Sequence, residues 1–191
     1  MKSLRHTYAG LVALVVVAGF AATGSATIGA EFLGAQSGQV QLTEYQLKAA
    51  FLLNFTKFID WPESERAAES APFAICIYGD DPFGPALDQI VQGESVNGRR
   101  LVVRRLARSA PESCQVLFFS KSASKVHSVL SSLPAGVLTV GESEHFLADG
   151  GTISFIVENR RVRFGINQRN ARGAGLRISS KLLNLAKTVQ R

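Results

Sequence analysis

Between Phe73 and Ile166, short apolar runs alternate with segments of helical period, and few architectures accommodate that order. Phe73–Tyr78, Leu101–Leu106, Gln115–Ser120 and Val137–Val140 read as strands. Phe83–Gln92 and Ala123–Leu133 between them read as helices, and Glu144–Leu147 as a short helical turn. Strands separated by helices imply βαβ units and a largely parallel sheet covered on both faces. Thr152–Val157 and Arg161–Ile166 are linked only through Glu158, Asn159 and Arg160. That connection is too short for a parallel crossover, so these two form an antiparallel hairpin. The expected fold class is an α/β three-layer sandwich: a mostly parallel sheet, a C-terminal antiparallel hairpin and helices on both faces.

Two further helices frame this core. Leu42–Trp61 opens with Thr43 as a cap and carries Tyr45, Ala49, Leu52, Phe55 and Ile59 on one face. Leu47, Phe51 and Phe58 lie on another, so the helix is apolar nearly all round and is expected either between layers or against a partner. Pro62 stops it. Asn170–Val189 reads as a closing helix, with Leu176, Leu182, Leu183, Ala186 and Val189 on its apolar side.

The N-terminus addresses the chain. Lys2, Arg5 and His6 precede the apolar run Leu11–Phe20, and small residues from Ala21 to Ala26 follow. This is the pattern of a secretory signal peptide, too short in its apolar part for a bilayer-spanning helix. The organisation expected is a signal peptide over 1–26, a flexible arm over 27–41 and a single exported α/β domain over 42–191. Removing Lys2 and Arg5 from the 21 basic residues leaves 19 against 15 acidic ones, a net charge of +4. Arg99, Arg100, Arg104, Arg105 and Arg108 cluster, but no aromatic residue is interleaved for base stacking, and export makes nucleic acid a poor partner. A solvated strand edge is the plainer account of them.

Few residues offer chemistry. Gly79-Asp80-Asp81-Pro82-Phe83-Gly84 follows the first strand of the alternation, where open α/β sheets bind ligands. Asp80 and Asp81 are candidate ligand contacts there; alternatively, Asp81 caps the next helix with Pro82 at its first position. There is no G-x-G-x-x-G after this strand and no Walker lysine. His127 and His145 have no second His or Cys at ligand spacing, so neither a metal site nor a cofactor is expected. No G-x-S-x-G elbow is present, and no catalytic residue is assigned.

The two cysteines, Cys76 in the first of these strands and Cys114 just before the third, invite a disulfide in an oxidising compartment. If those strands are neighbours, as a flavodoxin-like order makes them, the bridge stabilises the fold by about 4 kcal/mol. Otherwise the two are buried thiols packed as small apolar residues.

Five segments in order then carry a resemblance. Tyr45–Pro62 (YQLKAAFLLNFTKFIDWP), Gly79–Gly84, Cys114–Ser120 (CQVLFFS), Val137–Val140, and Val162–Asn167 with Gly175–Leu183 resemble the YfiR/HmsC-like periplasmic proteins. The resemblance runs from about Tyr45 to Val189. It implies a non-enzymatic regulator that binds the periplasmic sensor region of an inner-membrane diguanylate cyclase and represses it, controlling cyclic di-GMP and biofilm formation. An outer-membrane lipoprotein partner and a homodimer are implied in some systems. Relatives with a second cysteine pair differ from this chain, which has no cysteine after Cys114. For a partner surface the residues point to Phe51, Leu52, Phe55, Phe58 and Trp61 on the first helix, although all five also suit a core. Arg160, Arg161, Arg163 and Arg172 are the second candidate, suited to an acidic partner or to a solvated edge. The alternative function is binding of a small solute beside Asp80 and Asp81.

Overall fold

A computed structural model of the chain describes residues 35–62, 71–107 and 111–191. The expected signal peptide, the first part of the arm, the loop at 64–70 and Arg108 lie outside them. Helix α1 (Ala35–Lys57) leads into a short strand β1 (Ile59–Asp60). The alternating part follows as β2 (Phe73–Tyr78), α2 (Pro85–Val91), β3 (Ser95–Val96), β4 (Arg99–Ala107), β5 (Val116–Phe119), α3 (Val126–Ser132) and β6 (Leu138–Gly141). The C-terminal part is β7 (Ile153–Glu158), β8 (Arg161–Asn167), α4 (Gln168–Gly173), β9 (Arg177–Ile178), α5 (Ser180–Leu185) and β10 (Thr188–Gln190).

The fold is mixed α/β around a mostly parallel sheet. Among the described residues the large sheet has eight strands in the order β10-β8-β7-β6-β5-β2-β4-β3, and β1 pairs with β9 apart from it. The five strands β4, β2, β5, β6 and β7 are all parallel, with the earliest of them, β2, between the second and third. That is the flavodoxin-like order, whose switch point falls between β2 and β5. β7 and β8 are antiparallel, from Ile153↔Ile166 to Glu158↔Arg161, with Asn159 and Arg160 both at positive φ in the turn.

Every residue of β2 is buried, as a strand covered on both faces must be. Its side chains alternate between two apolar clusters. Phe73, Ile75 and Ile77 join α1, α2, Phe118, Phe155 and Phe164. Ala74, Cys76 and Tyr78 join Leu117, Phe119, Phe146 and, at the margin, Val126, Val129 and Leu130 of α3. Cys76 and Cys114 form a disulfide with Cα atoms 5.8 Å apart, because β2 and β5 are indeed neighbours.

Several boundaries differ from expectation. α1 starts at Ala35, so the end of the expected arm is helical, and it stops at Lys57 because Ile59 and Asp60 extend to pair with Ile178 and Arg177. α2 starts at Pro85, not Phe83. Asp81 therefore does not cap it: its Oδ1 accepts the Phe83 N–H at 2.7 Å in a turn before the helix. The single closing helix is absent. Gly175 at φ +75°, then Ser179 capping α5 through the Leu182 N–H, divide 168–190 into α4, β9, α5 and β10. Nor is the Arg cluster a purely solvated edge. Arg99 is buried against the Phe73 ring, with Nε donating to the Ala71 carbonyl at 2.8 Å.

Candidate functional site

α1 lies across one face of the sheet, and its residues divide according to what they meet. Leu52 and Phe55 are fully buried, and Trp61 beyond the helix is 3% exposed with its ring 5.0 Å from Phe73. These three expected contact residues belong to the core, because they point at the sheet. Phe58 is half-buried against the same core. Phe51 sits one turn from Phe55 at the margin, its ring 5.5 Å from Phe164 and 6.0 Å from Phe55.

Phe51 opens onto a groove of about 350 Å³ lined by Leu47, Phe51, Val162, Phe164, Leu185, Arg160, Arg161 and Arg163. The two sequence-level candidates, the apolar helix and the arginine hairpin, thus converge on one surface. Its exposure is unusual for apolar side chains: Leu47 is 44% exposed and Leu185 64%. Val157, the remaining large apolar residue exposed to that degree among the described residues, is 46% exposed and pairs across the hairpin with Val162. An apolar patch rimmed by charge is the mark of an interaction surface. Arg172 does not join it. It lines a separate cavity with Asp60, Trp61, Pro62, Gly175, Leu176 and Arg177.

Leu185 was not expected here, and neither were Leu47, Val162 and Phe164. The helical pattern over 170–189 gave no sign of the break that brings Leu185 to the hairpin. Leu47 stands on the second apolar face of α1, and that face was the available signal: an excess of apolar positions beyond what one core-facing stripe needs.

The switch-point end of the sheet is organised differently. Lys48 of α1 is completely buried there, with Nζ 2.5 Å from Glu44 Oε1 and 2.5 Å from Glu142 Oε2. The ammonium lies 4.5 Å from the centre of the Tyr45 ring, and the Tyr45 hydroxyl donates to Glu142 at 3.2 Å. Glu142 follows β6 and also accepts the Lys121 N–H, just after β5, at 3.3 Å. Burial first, and then the Glu142 charge, pushes the Tyr45 phenol well above its usual range. Tyr45 packs edge-on against Phe83 with centroids 5.5 Å apart. The stretch of α1 that carries Tyr45 and Lys48 therefore covers the carboxyl ends of β2, β5 and β6.

Asp80 and Asp81 stand beside this region without converging on a ligand set. Asp81 Oδ2 accepts from Arg105 Nε at 2.7 Å, and Arg105 also bonds Asp88 and the Gly84 carbonyl. The Arg105 hydrogen bond holds the Asp88 carboxyl below its ordinary range. Asp80 is exposed, and its N–H donates to Ser122 Oγ at 2.8 Å. Among the described residues no three His, Cys, Asp or Glu side chains gather as a metal site. No helix among the described residues is long and apolar enough to cross a membrane.

Comparison with known proteins places the chain. No curated protein matches it. A solved structure, a conserved domain protein from Vibrio cholerae O1 biovar El Tor, matches at 12% identity over 61% of this chain with a TM-score of 0.43. The match covers 54% of that protein, so the chain spans about half its length. The family model described as YfiR/HmsC-like matches residues 45–187, from the tyrosine that seals α1 onto Glu142 to the lysine that enters β10, and the chain belongs to the YfiR/HmsC-like family.

Proposed function

We propose that this protein is a periplasmic, non-enzymatic regulator that binds the periplasmic sensor region of an inner-membrane diguanylate cyclase and represses it. It thereby limits cyclic di-GMP and biofilm formation. The observation that carries this reading is the groove, where exposed leucines gather beside three arginines of the β7–β8 hairpin. Such a surface binds a macromolecule better than it binds a solute, because its apolar contacts are spread over an open face. Family membership supports the regulatory role. The Cys76–Cys114 bridge suits the oxidising compartment. The arrangement of α1 supports the same reading: in a three-layer α/β sandwich of this strand order, the crevice that takes solutes is filled here by Tyr45, Lys48 and Glu142. A lipoprotein of the outer membrane that competes for the regulator, and a homodimer, belong to the same reading.

The test is co-purification of the protein with detergent-solubilised membranes of its host. Recovery of a membrane protein with a cytoplasmic diguanylate cyclase domain is the expected outcome, and Leu47→Asp combined with Arg161→Glu is expected to abolish it. Recovery of transporter subunits alone, unaffected by that variant, would transfer the function to solute binding near Asp80 and Asp81.

A further inference from the structure

The groove has a backbone side as well as a side-chain side. β10 covers β8 only along Gly165, Ile166 and Asn167, and just before it the Lys187 N–H donates to the Phe164 carbonyl at 2.8 Å. Phe164 therefore turns its main-chain polar groups away from β7. Polar groups two residues apart in a strand point the same way, so those of Val162 also face outward. On that outer side, no strand among the described residues pairs with β8 at Val162, whose other side meets Val157 of β7. Leu185, the last residue of α5, lies beside that open stretch in the groove.

Side chains alternate along the same edge. Phe164 lies on the α1 side, with its ring 5.1 Å from Phe55, and Val162 shares that side. Arg161 and Arg163 fall on the opposite side of β8. Both are exposed, as is Arg160 at the turn, and none of the three has a carboxylate partner among the described residues. The nearby acid, Glu158, is paired with Lys187.

We propose that the groove receives an extended segment of the partner protein as an added strand on the outer edge of β8, with alternating apolar and acidic residues. This rests on the regulator reading above and specifies how the partner is held. A strand laid along Val162 sends every second side chain toward Leu47, Phe51 and Leu185, and the others beside Arg161 and Arg163. The first set is matched by apolar residues and the second by aspartate or glutamate. A second copy of this chain is a poorer occupant. Pairing β8 with its own equivalent sets arginine against arginine across the new ladder, which is destabilising.

The probe is a fluorescently labelled synthetic peptide of alternating valine and glutamate, titrated with the purified full chain and followed by anisotropy. Three comparisons accompany it: lysine in place of glutamate, N-methylation of alternate amides in each of the two phases, and the Arg161→Glu/Arg163→Glu protein. The parent peptide is expected to bind and to slow hydrogen exchange at the Val162 amide. The lysine peptide, one N-methylation phase and the charge-reversed protein are each expected to weaken binding about tenfold or more. Equal binding by both N-methylated peptides, or no binding of the parent peptide, would overturn the added strand. A dimer in sedimentation that dissociates on blocking the β8 edge would assign the edge to a second copy and overturn it as well. Co-purification of the cyclase despite such a failure would show that the strand is wrong and the regulator reading is not; loss of both would remove the two together.

Discussion

At the scale of single residues, the helix that reads as apolar all round contains two populations that only packing separates. Phe55 touches the rings of Phe155 and Phe164 at 5.9 and 5.1 Å and is fully buried, whereas Leu47 is 44% exposed on the same helix. Phe55→Ala is expected to cost about 3–5 kcal/mol in chemical denaturation through the cavity it leaves. Leu47→Ala is expected to stay within about 0.5 kcal/mol of the parent while weakening recovery of the membrane partner. A large stability loss for Leu47→Ala would place that side of α1 in the core. Tyr45 gives a pH signature. Its phenol titrates higher folded than unfolded, so folding favours the protonated form, and the stabilisation holds below the unfolded value of about 10. Above about pH 10 stability should decline, and Tyr45→Phe should decline less steeply when denaturation midpoints are compared across that range. Parallel slopes for the two proteins would contradict this account of Tyr45.

At the scale of elements, the disulfide ties β2 to the chain entering β5 across a separation of 38 residues. Reduction, or the Cys76→Ser/Cys114→Ser pair, should lower the unfolding free energy by about 4 kcal/mol without altering the secondary structure seen by circular dichroism. An unchanged denaturation midpoint after full reduction would refute that contribution. The parallel strands were legible in the sequence because each is a short apolar run bounded by turn residues, and the β7–β8 hairpin because its connection is too short for anything else. The C-terminal segment was not legible. Its apolar spacing suits a helix of period 3.6, but Gly175 and the Ser179 cap interrupt it, and β10 gains backbone hydrogen bonds by joining the sheet. Half of the groove followed the same division. Arg160, Arg161 and Arg163 could be named from the hairpin, whereas Leu185 reaches the site only through the break. Asp81 shows the converse failure. A residue with the composition of a cap spends its carboxylate on a turn and on Arg105, because the helix it was to cap begins at Pro85.

At the scale of the whole molecule, the chain builds a sheet whose strand order ordinarily offers a ligand crevice and then covers that crevice with its own first helix. The buried Lys48 is central to this closure. Its ammonium is held between Glu44 and Glu142, and only loss of both carboxylates would leave it an uncompensated buried charge. What the molecule leaves open instead is a groove and strand edge beside Leu47 and Phe51 of the same helix, with positive charge around apolar floor residues. The central claim is that this surface restrains a cyclase. Its most direct measurement is intracellular cyclic di-GMP in the host lacking this protein and resupplied with either the parent chain or the Arg161→Glu/Arg163→Glu chain at equal abundance. The account predicts that the nucleotide rises on deletion, falls with the parent chain, and stays high with the charge-reversed one. Unchanged cyclic di-GMP on deletion, or full restoration by the charge-reversed chain, would contradict it.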